Sequence, residues 1–335
     1  MSQELDDLNQ QIDTFRQKGL FKDVERLLRQ AVELARNEYG KNNPYYAAYL
    51  NDLGGLYRAT GEYSKSKERF SEAEKILRDT IGKNHHSYAT CINNMAGLYR
   101  LLGDFNKAKQ YFLEASDIYA RTVGKENFMF ASNLNNLSLL YLDMGNLADA
   151  EKSGEQALNI IGRVEGENSY TYATNLCNLA PLWIAKRDLS KAKSLLERSL
   201  DIFAKTAHAD DLHKVTALNT LAGVYHREGN LDQAEILYHE TLAVLEKKLG
   251  TNHPHCATVL SSLGMLYESL EKNEKAIECF IKSLNIREHL TSQKDSNYHD
   301  ILKTLVGLFE KMNNSEKAEE FRLRMNDSKA FVPEL

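Results

Sequence analysis

An all-α solenoid of about eight helical hairpins is the architecture that three features of this sequence predict. First, aromatic residues recur every 42 positions, at Phe15, Tyr57, Tyr99, Tyr141, Trp183, Tyr225, Tyr267 and Phe309. An unbroken period of that length marks stacked supersecondary units. Second, the apolar residues before each aromatic keep helical spacing. In ATCINNMAGLYRLLGDF, Ile92, Met95, Ala96 and Tyr99 fall at i, i+3, i+4 and i+7, one buried stripe. Third, only 4 prolines, one tryptophan and few strand-like alternations leave little room for sheet.

The elements follow in order within each unit. A first helix, A, ends just beyond the aromatic. Four residues after the aromatic stands Gly19, Gly61, Gly103, Gly145 or Gly229, replaced elsewhere by Arg187, Glu271 and Asn313. Glycine there ends helix A because it takes the left-handed conformation without a steric penalty. Helix B follows, with a small residue nine positions after the aromatic (Ser66, Ala108, Ala150, Ala192, Ala234, Ala276, Ala318) that lets A and B approach. In LGDFNKAKQYFLEAS, Phe105, Ala108, Phe112 and Ala115 form its buried face. A longer loop, GTNHP in one unit, carries a glycine that ends helix B and a proline or tyrosine that opens the next helix A.

The units fall near residues 4–38, 44–80, 86–122, 128–164, 170–206, 212–248, 254–290 and 296–327, a single array over 1–327 with a flexible tail, 328–335. No hairpin of this kind buries its apolar face alone, so neighbours must stack, and the polar sequences MSQELDDLNQQIDTFRQ and SEKAEEFRLRMNDSK read as caps. Eight units leave no space for a separate catalytic domain. No Gly-rich phosphate loop, nucleophile elbow or HExxH occurs, so no enzymatic activity and no cofactor are expected. The net charge of −5 argues against nucleic acid as the main partner, because phosphate binding uses a basic face. No apolar run is long enough to cross a bilayer. The acidic first ten residues lack a signal-peptide layout, and Cys91, Cys177, Cys256 and Cys279 have no paired spacing. A cytoplasmic location is the expectation.

These motifs resemble the tetratricopeptide repeat (TPR): Leu53-Gly54, Tyr57, Gly61, Ser66, Phe70 and Ala73 match its L-G, Y, G, A, F and A positions. The 42-residue length and the segments YATCINNMAGLYR, FASNLNNLSLLYL and NHPHCATVLSSLGMLY are similar to the kinesin-light-chain type of that repeat, best over residues 44–290. The resemblance implies a right-handed superhelix whose A helices line a concave channel.

Six residues before the aromatic, Asn51, Asn93, Asn135 and Asn219 interrupt helix A with a poor helix former. An Asn amide carries a donor and an acceptor, the pairing that an extended peptide backbone requires. By the resemblance these four residues clamp a peptide backbone; Thr90, Gly97 and Arg100 share the stripe of Asn93, and Thr90 and Ser132, its equivalent one repeat on, join the candidate peptide-binding residues. Asn94, Asn136 and Asn178, one residue on, read as bonds between stacked helices, and the same reading stays open for Asn93. The residue just after the aromatic runs Arg58, Arg100, Leu142, Ile184, His226, Glu268 and Glu310. If that row faces the channel, the groove is basic toward the N-terminus, apolar midway and acidic toward the C-terminus. An acidic segment would then dock on the Arg58 and Arg100 forks; the alternative is that both are solvated surface cations.

One unit departs from the pattern. Pro181 interrupts a helix A, Trp183 replaces Tyr, Arg187 replaces Gly and Cys177 replaces Asn, and just before this unit Gly154 takes the usual Phe position. A change of curvature near residues 150–190, or simple absorption by packing, follows from this. His85, His86, His253, His255 and Cys256 coincide with the inter-repeat turn and read as turn chemistry, not a metal site. The function expected is a scaffold or adaptor binding an extended peptide or partner protein, as a monomer or weak oligomer. The alternatives are a self-assembling structural protein and a peptide-gated regulator.

Overall fold

The computed structural model describes residues 2–17, 19–206, 212–290 and 296–329, and among them every regular element is a helix. The A helices are α1 (Gln3–Gln17), α3 (Pro44–Ala59), α5 (His86–Leu101), α7 (Phe128–Asp143), α9 (Tyr170–Ala185), α11 (Leu212–Arg227), α13 (Pro254–Ser269) and α15 (Ser296–Lys311). The B helices are α2 (Phe21–Tyr39), α4 (Tyr63–Thr80), α6 (Phe105–Thr122), α8 (Leu147–Val164), α10 (Leu189–Lys205), α12 (Leu231–Leu249), α14 (Asn273–Leu290) and α16 (Ser315–Lys329). The tail expected from 328 starts inside α16, and 330–335 lie outside the described residues.

The turns follow the expected chemistry. Gly61, Gly103 and Gly145 have φ of 81°, 78° and 73°, and the left-handed conformation persists where glycine is absent, at Arg187 with φ 63°. At each of these turns the carbonyl of the aromatic accepts a bond from the N–H five residues on, as Tyr99 does from Asp104 at 3.0 Å. The A helices are capped by side chains: Asn43 accepts from the Tyr45 N–H, Asn127 from that of Met129, and His85 and His253 use Nδ1 in the same way. His85 and His253 of the inter-repeat turn are thus helix caps, while His86 and His255 lie in the first turns of α5 and α13.

Inside each hairpin the fit is close. Ala108, Phe112 and Ala115 are fully buried. A Cβ on Gly54 would lie 2.8 Å from the Phe70 ring, and the same holds for Gly264 and Phe280 at 2.7 Å. Two units tie their helices by mirrored hydroxyls. Ser66 on helix B donates to the Gly54 carbonyl at 2.8 Å, whereas Ser138 on helix A donates to the Ala150 carbonyl at 2.7 Å. At Gly154 the space is filled by Leu179 of the next unit and Ser138 of its own: a Cβ there would meet Leu179 Cδ2 at 2.4 Å and Ser138 Oγ at 2.8 Å. Packing thus absorbs the missing ring, and α9 runs unbroken through Pro181.

The chain divides into two compact units, residues 1–217 and 218–335, with the boundary inside α11. In the first, each B helix packs on its own A helix and on the next one, and α3, α5, α7 and α9 also touch in succession. Among the described residues, successive B helices have no comparable contact, so this stack curves with the A helices on its inner side. In the second unit, α12 to α16 pack in sequence by the same pairing.

Candidate functional site

Adjacency across the A helices has a register that differs from the period. Cross-helix partners are 43 residues apart, one more than the repeat. Asn94 Nδ2 donates to Asn51 Oδ1 at 3.1 Å, Asn136 Nδ2 to Asn93 Oδ1 at 3.2 Å, and Asn178 Nδ2 to Asn135 Oδ1 at 3.4 Å. Arg100 reaches Asp143 at 2.7 Å, and Tyr170 meets His213 at 2.6 Å, in the same step. Each A helix therefore offers its neighbour rows two turns apart, and the Asn pairs form the middle rung.

This ladder is both structural and open. Asn51 is buried, while Asn93, Asn94, Asn135, Asn136 and Asn178 are half-buried. Asn93 carries the heaviest load, because Asn133 Nδ2 also donates to its Oδ1 at 3.1 Å. The bonds consume one side of each rung. The Nδ2 groups of Asn93 and Asn135 and the Oδ1 atoms of Asn94, Asn136 and Asn178 make no hydrogen bond among the described residues. Donors and acceptors thus remain side by side on the inner face.

The other expected site residues divide. Thr90 donates to the His86 carbonyl and accepts from Tyr119 at 2.9 Å, so it ties α5 to α6. Ser132 is half-buried on α7 with no side-chain hydrogen bond among the described residues. Asn219 lies in the second unit, its Oδ1 buried without a partner among the described residues.

Arg58 lies flat across the next helix. Its Nη1 donates to the Asn94 carbonyl at 2.9 Å, and a Cβ on Gly97 would come within 2.4 Å of that nitrogen. No carboxylate pairs with it among the described residues. Burial lowers its pKa, and the like charge of Arg100 lowers it further. Arg100 differs, being paired with Asp143. Next along the row, Leu142 and Ile184 are half-buried on α7 and α9.

Toward α1 the character reverses. Asp13 lies 3.7 Å from Arg16, and Arg16 and Asp13 are also the charged neighbours of Asp52. Asp52 is open to solvent, yet desolvation by the surrounding protein raises its pKa, with Arg16 and Asn51 pulling it back. The basic centre lies at α3 and α5, with the Arg16–Asp13 pair and Asp52 toward its N-terminal side. Sequence reasoning passed over Arg16, Asp13 and Asp52, and placed Gly97 on the Asn93 stripe without a role. Arg16 follows Phe15 as Arg58 follows Tyr57, so the same row extended one repeat would have reached it.

A stack of helical hairpins with an amide-lined inner face defines a repeat protein of the helical solenoid class. The model of the tetratricopeptide repeat matches residues 8–79, 68–121, 129–205 and 214–289, and the chain belongs to that family. A comparison with the curated proteins finds no match. Among solved structures it is similar to BtubC (BKLC) from P. vanneervenii, at 20% identity and TM-score 0.56 over 70% of this chain and 93% of that one. It is also similar to a Rap protein complexed with competence and sporulation factor, at 15% identity and TM-score 0.62, over 98% and 96% of the two chains. NprR in complex with its cognate peptide NprX matches at 14% identity and TM-score 0.63, over 96% and 87%. Kinesin-light-chain-like repeat proteins are thus among the structural neighbours. No helix among the described residues is long and apolar enough to cross a membrane.

Proposed function

We propose that the protein is a binding scaffold whose first unit holds an extended peptide segment of a partner protein across the inner faces of α3, α5, α7 and α9. The observation that carries this reading is the row of uncommitted amide groups: Nδ2 of Asn93 and Asn135 beside Oδ1 of Asn136 and Asn178. An extended main chain presents the complementary C=O and N–H groups and leaves its side chains to set specificity. Arg58, half-buried and without a carboxylate, favours an acidic side chain, because an unpaired guanidinium gains more from a fork-shaped partner than a solvated one. The NprR neighbour, solved in complex with its cognate peptide, supports this reading.

The test is a titration of a fluorescent acidic peptide against wild type, Asn135→Ala and Arg58→Glu. Weaker binding in both variants, with unchanged helical signal, is the expected result. Equal affinity in all three at low salt refutes the clamp.

A further inference from the structure

We infer that the first unit reads its ligand in a polyproline II conformation, one ligand turn per A helix, with a fixed order of side chains: cation, anion, apolar, apolar. This inference rests on the peptide-groove reading above and adds the ligand's conformation and sequence pattern to it.

The argument begins with spacing. Packed helices lie about 8–10 Å apart. A polyproline II segment has three residues per turn at about 3.1 Å each, so one turn advances about 9 Å. Every third side chain then points at the floor, once per helix. A β-strand cannot do this, because its side chains alternate with period two and residues i and i+3 face opposite ways. Polyproline II also has no internal hydrogen bonds, which leaves its N–H and C=O groups for the Asn rungs.

The floor supplies the order. On α3 the acid is Asp52, one helical turn before Gly55, with Arg16 and Asp13 of α1 as its charged neighbours. On α5 the residue equivalent to Gly55 is Gly97, and the Arg58 guanidinium covers it. On α7 and α9 it is Leu139 and Pro181, both half-buried. Acid, base, apolar and apolar thus follow at successive helices, and the matching ligand carries the complementary groups three residues apart. Gly97 is a positioning residue in this scheme. Leu139 at the equivalent position leaves no such bed, and Arg100 turns instead to Asp143.

The test uses four synthetic peptides and the full chain. The first carries Lys, Glu, Leu and Leu at every third position with proline and alanine between. The second has the same composition with these four residues at every second position. The third replaces the intervening residues of the first by glycine. The fourth exchanges Glu for Lys in the first. Fluorescence anisotropy should show the first peptide binding at least about tenfold tighter than the second, and tighter than the third. Arg58→Glu should weaken the first and strengthen the fourth, with an unchanged circular dichroism melt. Equal binding of the first two peptides overturns this inference and leaves the peptide groove standing. Binding by none of them up to millimolar concentration overturns both.

Discussion

Replacing Asn93 by alanine separates the structural share of the ladder from its share in binding. Asn93 Oδ1 accepts two amide bonds, at 3.1 and 3.2 Å. Each is worth about 1 kcal/mol net. Asn133 keeps its second partner, the Phe112 carbonyl at 3.1 Å, and the half-buried Asn136 amide can turn to water. Alanine returns about 0.5 kcal/mol of helix propensity. The expected loss is therefore about 1–2 kcal/mol. Asn51→Ala removes one cross-helix bond of 3.1 Å and should cost less than about 1 kcal/mol. Asn135→Ala removes one of 3.4 Å, beyond the usual range, and should be close to neutral. Urea denaturation followed by far-ultraviolet circular dichroism reads these as shifts in midpoint at constant slope. Finding Asn93→Ala as stable as Asn135→Ala would refute the hydrogen-bond account. The ranking also selects Asn135→Ala as the cleanest binding mutant, since its fold is least disturbed.

Two further outcomes are expected. Arg187 holds φ at 63°, where a side chain is strained, so Arg187→Gly should stabilise the first unit by roughly 0.5–1 kcal/mol; a lower urea midpoint contradicts this. Burial, helped by His255, holds His253 at about 4, below its usual 6.5. A histidine with a depressed folded pKa favours the native state above pH 6.5 and loses that contribution as pH falls from 6.5 towards 4, by at most about 3 kcal/mol. His253→Asn keeps an N-cap, as Asn43 and Asn127 do, and should flatten the stability profile between pH 6.5 and 4. An equally steep profile in the variant would place the acid sensitivity elsewhere.

Much of the fold was legible because hairpin chemistry is local. The left-handed residue after each helix A, the small residue of helix B and the capped start of each A helix follow from neighbours a few positions away. The site was legible only in part. A period of 42 shows which residues are equivalent, but contact between stacked helices is set by their tilt, and the observed step is 43. So Asn93 and Asn136 were identified separately, and their mutual bond came only with the coordinates. Arg58 gave no sign in the sequence that Gly97 of the following unit is its bed, nor that Asp13 and Asp52 sit beside the basic centre. Those relations join positions that no repeat rule pairs.

The most direct measurement is the side-chain amide resonances of Asn93 and Asn135, followed by nuclear magnetic resonance as the third-position Lys-Glu-Leu-Leu peptide is added. Saturable shifts of both, with the resonances of α6 and α8 unmoved, are what a ligand lying along the inner face produces. Unmoved Asn93 and Asn135 amides, with shifts confined to the B helices while the peptide is bound, would contradict it.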